Sequence, residues 1–182
     1  MSASLTQSRK QTIQTMKKKT NLSDYDPSGV PDGKGFRIGV VAAEWNPEIT
    51  DALLKGAVAT LKKYGVKKKD IQVIRVPGTF ELTTAADILL RRSQIDAVIC
   101  IGCVIQGETR HFEFICQAVS QGLTNVAIKH GHPVIFSVLT CDTLQQALDR
   151  SGGVHGNKGV EGAITALKMV ALDRSIDYEL PF

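Results

Sequence analysis

Phe36-Arg37-Ile38-Gly39-Val40-Val41-Ala42 is a short, nearly unbroken run of apolar and β-branched residues. Such a run is the pattern of a strand covered on both faces in a parallel sheet, because a half-exposed strand would alternate with polar residues. Upstream of it the composition is different. Residues 1–35 are rich in Ser, Thr, Lys and Gln and then turn through Asp26-Pro27-Ser28-Gly29 and Pro31-Asp32-Gly33, which reads as a flexible or loosely docked N-terminal extension. Downstream, three further apolar runs occupy residues 71–76, 96–101 and 134–139. Between and after them lie stretches with helical spacing. Residues 49–64 place Ile49, Leu53, Leu54, Ala57, Val58 and Leu61 on one face, with Gly65 as the stop, and similar stripes cover 81–92, 111–122, 143–150 and 159–172. Strands and helices alternating in this way predict right-handed crossovers and a four-stranded parallel sheet with helices on both faces, an α/β fold arranged as a three-layer α/β/α sandwich. Residues 36–182 are therefore expected to form one domain. Ligands of such sheets sit beyond the carboxyl ends of the strands, so the segments that follow each strand are the ones to inspect.

Composition narrows the function classes. The chain has 182 residues, 43% of them hydrophobic, enough for one core and too few for two. Its longest apolar runs are far short of the roughly 18 residues that cross a bilayer, so no membrane partner is expected. The net charge of +4 is concentrated in residues 1–35, where six cations face three acids, leaving the other 147 residues close to neutral. That balance gives no footprint for nucleic acid on the folded part. Cys100, Cys103, Cys116 and Cys141 sit in or beside apolar runs, and the Cys100-Ile101-Gly102-Cys103 pair lacks both further ligands and a following helix start. Buried reduced thiols are expected rather than a zinc or redox site, which favours a reducing compartment. Residues 1–35 carry no apolar h-region, so no export signal is read there, and with only one arginine an organelle signal stays as the weaker alternative. A cytoplasmic protein is expected.

The four loops carry the chemistry. Ala43-Glu44-Trp45-Asn46-Pro47 puts the one tryptophan beside an amide at the sheet edge, either as a platform for a flat heterocycle or as a plug on the core. In Val76-Pro77-Gly78-Thr79-Phe80-Glu81, Glu81 can contact a ligand or complement a helix dipole, and Phe80 can belong to the core or stack on a ligand. The third loop, residues 102–111, has Gly102 and Gly107 five apart but lacks the Lys-Ser/Thr of a nucleoside triphosphate loop. Its glycines, Thr109 and the helix start behind it suit a smaller phosphate. His111, in the first turn of that helix, is the candidate for proton transfer, with a purely structural role as the alternative. Arg150 and Lys158 are the cations an anion site needs, although Arg150 also complements a helix C-terminus. His130, His132 and His155 show no metal-ligand spacing.

Taken in order, Pro77-Gly78-Thr79-Phe80-Glu81, residues 102–111, residues 133–140 and Gly156-Asn157-Lys158-Gly159 resemble the 6,7-dimethyl-8-ribityllumazine synthases, which are flavodoxin-like α/β proteins. The resemblance covers about three quarters of the chain. It implies an enzyme without metal or organic cofactor that condenses 5-amino-6-(D-ribitylamino)uracil with 3,4-dihydroxy-2-butanone 4-phosphate. The products are 6,7-dimethyl-8-ribityllumazine, phosphate and water, in the penultimate step of riboflavin biosynthesis. Carried onto this chain, it implies that Trp45 stacks on the pyrimidine with Asn46 beside it, while Thr79, Phe80 and Glu81 line the ribityl chain. Cys103, Val104 and Ile105 then contact the ring and Phe136 closes the pocket. Glu108 and Thr109 fall at the sugar phosphate, with Arg150 completing that site and Lys158 nearby, and His111 takes the proton-transfer position. Two residues depart from the family pattern: Gln106 stands where an Arg is common, and Val154 where many members have Lys.

The resemblance also implies pentamers with active sites between neighbouring subunits, in some members assembled further into a hollow 60-subunit shell. Two rivals share the fold. A non-catalytic flavin-binding or shell-forming protein is opposed by the presence of His111, Arg150 and Lys158. A flavodoxin-like electron carrier is opposed by Trp45-Asn46-Pro47, which stands where its phosphate loop is expected.

Overall fold

The computed structural model describes residues 25–176, so residues 1–24 of the expected extension lie outside the described residues. The four apolar runs form one parallel sheet in the order β2-β1-β3-β4, from β1 (Ile38–Ala43), β2 (Ile71–Val76), β3 (Ala97–Ile105) and β4 (Val134–Cys141). Every residue of β1 is buried, because alternate side chains enter two separate cores. Val40 packs with Ile49, Leu53, Leu61 and Leu167 on one side of the sheet, and Val41 with Leu82, Ala86, Leu89 and Leu123 on the other. The helices that supply these residues are α1 (Pro47–Lys63) and α5 (Lys158–Ser175) on the first side, joined by α4 (Leu144–Asp149). On the second side lie α2 (Leu82–Arg92) and α3 (His111–His130). The expected three-layer α/β/α arrangement is thus the observed one.

Three boundaries differ from the sequence reading, each for a packing reason. The strand expected at 96–101 runs on to Ile105, and Gly102 belongs to it. A Cβ on Gly102 would lie 2.7 Å from Thr79 Oγ1 and 3.0 Å from Leu82, so this glycine admits close side-chain packing rather than relaxing a phosphate loop. The helix expected to stop at Gly122 continues to His130. A Cβ at Gly122 would meet Thr83 of α2 at 2.8 Å, so Gly122 is the place where α3 approaches α2. The Gly-rich stretch after α4 folds as a small antiparallel hairpin, β5 (Ser151–Gly153) and β6 (Gly156–Asn157). Finally, β2 is an edge strand with Gln72, Val73 and Arg75 exposed.

Residues 25–35 make specific contacts with the domain. The Tyr64 hydroxyl donates to the Tyr25 hydroxyl at 3.3 Å, and the Gly33 N–H donates to the Tyr64 carbonyl at 2.6 Å. Val30 packs against the first core.

Asp87 of α2 joins the two helices of the second side. Its carboxylate accepts from Arg91 at 2.7 Å, Lys129 at 2.8 Å and the His130 ring at 2.9 Å, the last two from the end of α3. Hydrogen bonds from Lys129, His130 and Arg91, in that order of weight, hold the Asp87 carboxyl well below the usual carboxylate range. A carboxylate depressed on folding stabilises the native state above its unfolded value near 3.9 and loses that contribution as pH falls through the folded value. Asp87→Asn is therefore expected to lower the urea midpoint at pH 7. The difference from wild type should shrink as the pH is taken below about 4; a pH-independent difference would show that shape rather than charge is what the carboxylate contributes.

Candidate active site

The carboxyl edge of the sheet holds two cavities. The first, of about 180 Å³, is lined by Trp45, Asn46, Thr79, Phe80, Cys103, Val104, Ile105, His111 and Ile115. These residues come from the ends of β1, β2 and β3 and the start of α3, around the point where the strand order reverses between β1 and β3, the usual ligand position of such sheets.

Trp45 is 66% exposed, which removes the core-plug alternative: its ring lies over Gly78, where a Cβ would come within 2.8 Å of it. Only glycine lets the ring lie this low over the turn. Asn46, next in the chain, is the one non-glycine residue with positive φ (58°) among the described residues. Asparagine tolerates this left-handed conformation better than most residues, and here it turns the chain from the platform into α1. Its Nδ2 donates to the Cys103 carbonyl at 3.0 Å. The buried Thr79 hydroxyl donates to the same carbonyl at 3.5 Å, so the end of β3 is fixed from two sides. Phe80 is 54% exposed and lines the cavity, so its ring is not part of the core.

Glu81 does not line this cavity. It makes no cap bond to α2; its carboxylate instead accepts the Gly78 N–H at 3.0 Å and thereby holds the turn beneath Trp45. Glu108 and Thr109 stand exposed in the loop before α3 and line neither cavity of the chain. The Thr109 hydroxyl accepts the His111 N–H at 3.4 Å. Gln106 closes the same loop on itself by donating to the carbonyls of Gly107 at 2.8 Å and Thr109 at 3.4 Å. Burial, with a smaller contribution from nearby Cys141, pushes the Cys103 thiol up to about 12, so Cys103 offers its backbone and not a thiolate. Cys100 and Cys141 are buried as expected, while Cys116 is half-buried on α3.

The second cavity, of about 510 Å³, is lined by Phe136, Val138, Leu139, Thr140, Cys141, Arg150, His155, Lys158 and Glu161. It shares no residue with the first. Phe136, Arg150 and Lys158 are therefore not brought to His111 within one chain. The hairpin and the start of α5 shape this cavity, and Asn157 holds both. Its Oδ1 accepts the N–H groups of Gly159 and Val160, and its Nδ2 donates to the carbonyls of Ala52 and Ser151 at 3.1 Å. Arg150 caps α4, with Nη1 donating to the Gln146 carbonyl at 3.0 Å, and still reaches the cavity. Lys158 pairs with Glu161 at 2.8 Å.

Ile115, His155 and Glu161 were not among the sequence-derived site residues. Ile115 lies four residues after His111 and Glu161 three after Lys158, spacings that place them on the same helix faces. His155 carries no such periodic signal, since it depends on a hairpin that the sequence did not disclose.

An α/β fold with an aromatic, hydrogen-bonding cavity at its switch point and a separate cationic cavity defines a protein built for a flat ring and an anionic group. The match to known proteins is specific. The family model for 6,7-dimethyl-8-ribityllumazine synthase covers residues 35–174. The chain is similar to the 6,7-dimethyl-8-ribityllumazine synthase of Porphyromonas gingivalis, 55% identical over 154 residues, which is 85% of this chain and 96% of that protein. It is likewise similar to those of Cytophaga hutchinsonii (57% identical, 83% and 94% covered) and Parabacteroides distasonis (53% identical, 82% and 94% covered). The chain belongs to the 6,7-dimethyl-8-ribityllumazine synthase family.

Proposed function

We propose that the chain condenses 5-amino-6-(D-ribitylamino)uracil with 3,4-dihydroxy-2-butanone 4-phosphate, and that it does so in sites completed by a second subunit. The observation that carries the second part is the separation of the two cavities. One has the aromatic residues and the histidine, the other the cations and Phe136, and no residue is common to both. A homopentamer in which the second cavity of one subunit faces the first of its neighbour unites them. Assembly of such pentamers into a 60-subunit shell is the further step the family resemblance implies. The catalytic domain is residues 36–182, preceded by the extension over 1–35, and the protein works in the cytoplasm. No helix among the described residues is long and apolar enough to cross a membrane.

In this site Trp45 stacks on the pyrimidine, the backbone of 103–105 hydrogen-bonds its edge, Thr79, Phe80 and Glu81 line the ribityl chain, and Phe136 of the neighbour closes over the ring. Thr79 and Asn46 position that backbone through the Cys103 carbonyl, and Glu81 does the same for the turn under Trp45 through Gly78. Glu108 and Thr109 lie beside the incoming sugar phosphate, which Arg150 and Lys158 hold. The 5-amino nitrogen attacks the ketone carbon, and loss of the first water leaves an imine. A carbon-bound proton is then removed as the C–O bond to phosphate breaks, releasing inorganic phosphate. The enol left by that elimination tautomerises to a ketone, and attack of the ribitylamino nitrogen on this new carbonyl closes the ring and expels the second water. Each step needs a proton moved at the reacting carbon or oxygen, and His111 carries it, a role supported by its position in the lining of the first cavity. Because the reactants supply their own nucleophile and leaving group, positioning does most of the work.

Incubation with both substrates should yield the fluorescent lumazine; no product from folded protein would overturn the assignment. Trp45→Ala should raise KM for the pyrimidine about tenfold or more, as expected for loss of a stacking platform worth about 1–3 kcal/mol. Its thermal midpoint should hardly move, since the ring is mostly exposed.

A further inference from the structure

The side chains of the cationic cavity leave a surplus of one cation, less than the charge of a phosphate monoester. Arg150 has no carboxylate ion pair among the described residues, but the charge of Lys158 is offset by Glu161 at 2.8 Å. Val154, which stands where many relatives have Lys, is 75% exposed at the hairpin tip and does not line the cavity. A phosphate monoester carries about −1.5 to −2 near pH 7, against a surplus of one cation. The remaining residue of this cavity able to gain positive charge is His155. The chain presents it deliberately: the His155 N–H donates to the Asp149 carbonyl at 2.8 Å, which latches the hairpin tip to the end of α4, and the Lys158 N–H donates to the Arg150 carbonyl at 2.9 Å. These two bonds fix His155, Arg150 and Lys158 around one opening.

We propose that His155 is a phosphate-binding residue of the proposed reaction, acting as an imidazolium that supplies the cation missing at Val154, so that affinity for the phosphorylated substrate depends on pH. This rests on the reading that Arg150 and Lys158 hold that phosphate. The titratable groups that line the cavity with His155 are Arg150 from the end of α4, Lys158 and Glu161 from the start of α5, and Cys141 from β4, while Asp149 meets it through its backbone carbonyl. Burial pushes the Cys141 thiol up, so it adds no charge at neutral pH. Histidine is the side chain that changes charge between about pH 5 and 8, the range in which the substrate phosphate completes its own second ionisation.

The test is the KM for 3,4-dihydroxy-2-butanone 4-phosphate, measured for the full-length enzyme and for His155→Gln, His155→Lys and Arg150→Ala at pH 6 and pH 8. Wild type and variants meet the same ligand, so its titration cancels in their ratio. His155→Gln should raise this KM about five- to tenfold at pH 6, the size expected of one charge at a half-exposed anion site, and by less than about twofold at pH 8. The KM for the pyrimidine should not follow that pattern. His155→Lys should bind as tightly as wild type at pH 6 and more tightly at pH 8. A His155→Gln ratio that is the same at both pH values, or near one at both, overturns the inference. If Arg150→Ala still raises the KM strongly, only the role of His155 is lost; if Arg150→Ala also leaves it unchanged, the phosphate assignment of the whole cavity fails with it.

Discussion

Co-expression of a Trp45→Ala/His111→Ala subunit with an Arg150→Ala subunit is expected to restore activity that neither has alone. Each parent destroys one half of every site in its own homo-oligomer. Arg150→Ala removes the cation of the second cavity that has no carboxylate ion pair among the described residues, and loss of a charge-assisted phosphate contact of about 2–3 kcal/mol corresponds to roughly 100-fold in kcat/KM. The paired substitution removes both the proposed stacking platform and the proposed proton carrier, which line the first cavity, for an expected loss of similar or greater size. His111→Ala alone should slow the reaction only partially, because binding and orientation survive it, which is why it is paired with Trp45→Ala here. In a ring whose sites lie between neighbours, random mixing leaves about one site in four with both halves intact. The mixture should then reach about a quarter of wild-type activity. Activity no higher than the mean of the two parents would show that one chain contains the whole site, against the separation of the two cavities.

How much of this site the sequence disclosed follows from where each residue's partner lies. Trp45 and Asn46 stand just beyond the end of β1, Phe80 and His111 in the loop and helix start that follow β2 and β3, and a strand's carboxyl side is visible as the close of an apolar run. Their position at the sheet edge was therefore legible. What they touch there was not. Glu81 read as a dipole-complementing residue or a ligand contact; that one of its carboxylate oxygens accepts the Gly78 N–H three residues away was not visible in the pattern. Gly102 and Gly122 read as loop and stop signals because local pattern offers no other use for glycine. Both are close-approach positions, against Thr79 and Thr83 respectively, and the residue that demands a glycine is 23 and 39 positions distant. The β5–β6 hairpin was missed for the same reason. Its three- and two-residue strands are too short to show a period of two, and Asn157 fixes them through carbonyls of Ser151 and of Ala52 on α1.

Gly159→Ala is expected to be the most damaging single methyl group that this domain can receive. An ideal Cβ at Gly159 would lie 1.9 Å from the Leu53 carbonyl oxygen and 2.6 Å from its carbon. Both are backbone atoms of α1, so no rotamer change relieves the overlap, and either α5 or α1 must move. Overpacking at a rigid contact typically costs about 1–3 kcal/mol and sometimes more. With backbone as the obstacle, the upper end of that range, about 3 kcal/mol, is expected. That is a large share of the roughly 5–15 kcal/mol by which a domain is stable, so the variant should be insoluble or lose more than about 10 °C in its thermal midpoint. Gly29→Ala is the control: a Cβ there meets nothing within 4 Å, and a shift within about 0.5 kcal/mol is expected. A wild-type midpoint for Gly159→Ala would mean that α5 does not lie on α1 as described. The contact also bears on function. In Gly156-Asn157-Lys158-Gly159, Asn157 caps α5 and Gly159 lets its first turn touch α1, while Lys158 is the member whose residue lines the cationic cavity. The motif is thus mainly a device for seating a helix start, and a substitution that lifts α5 from Leu53 is expected to displace Lys158 from the cationic cavity as well.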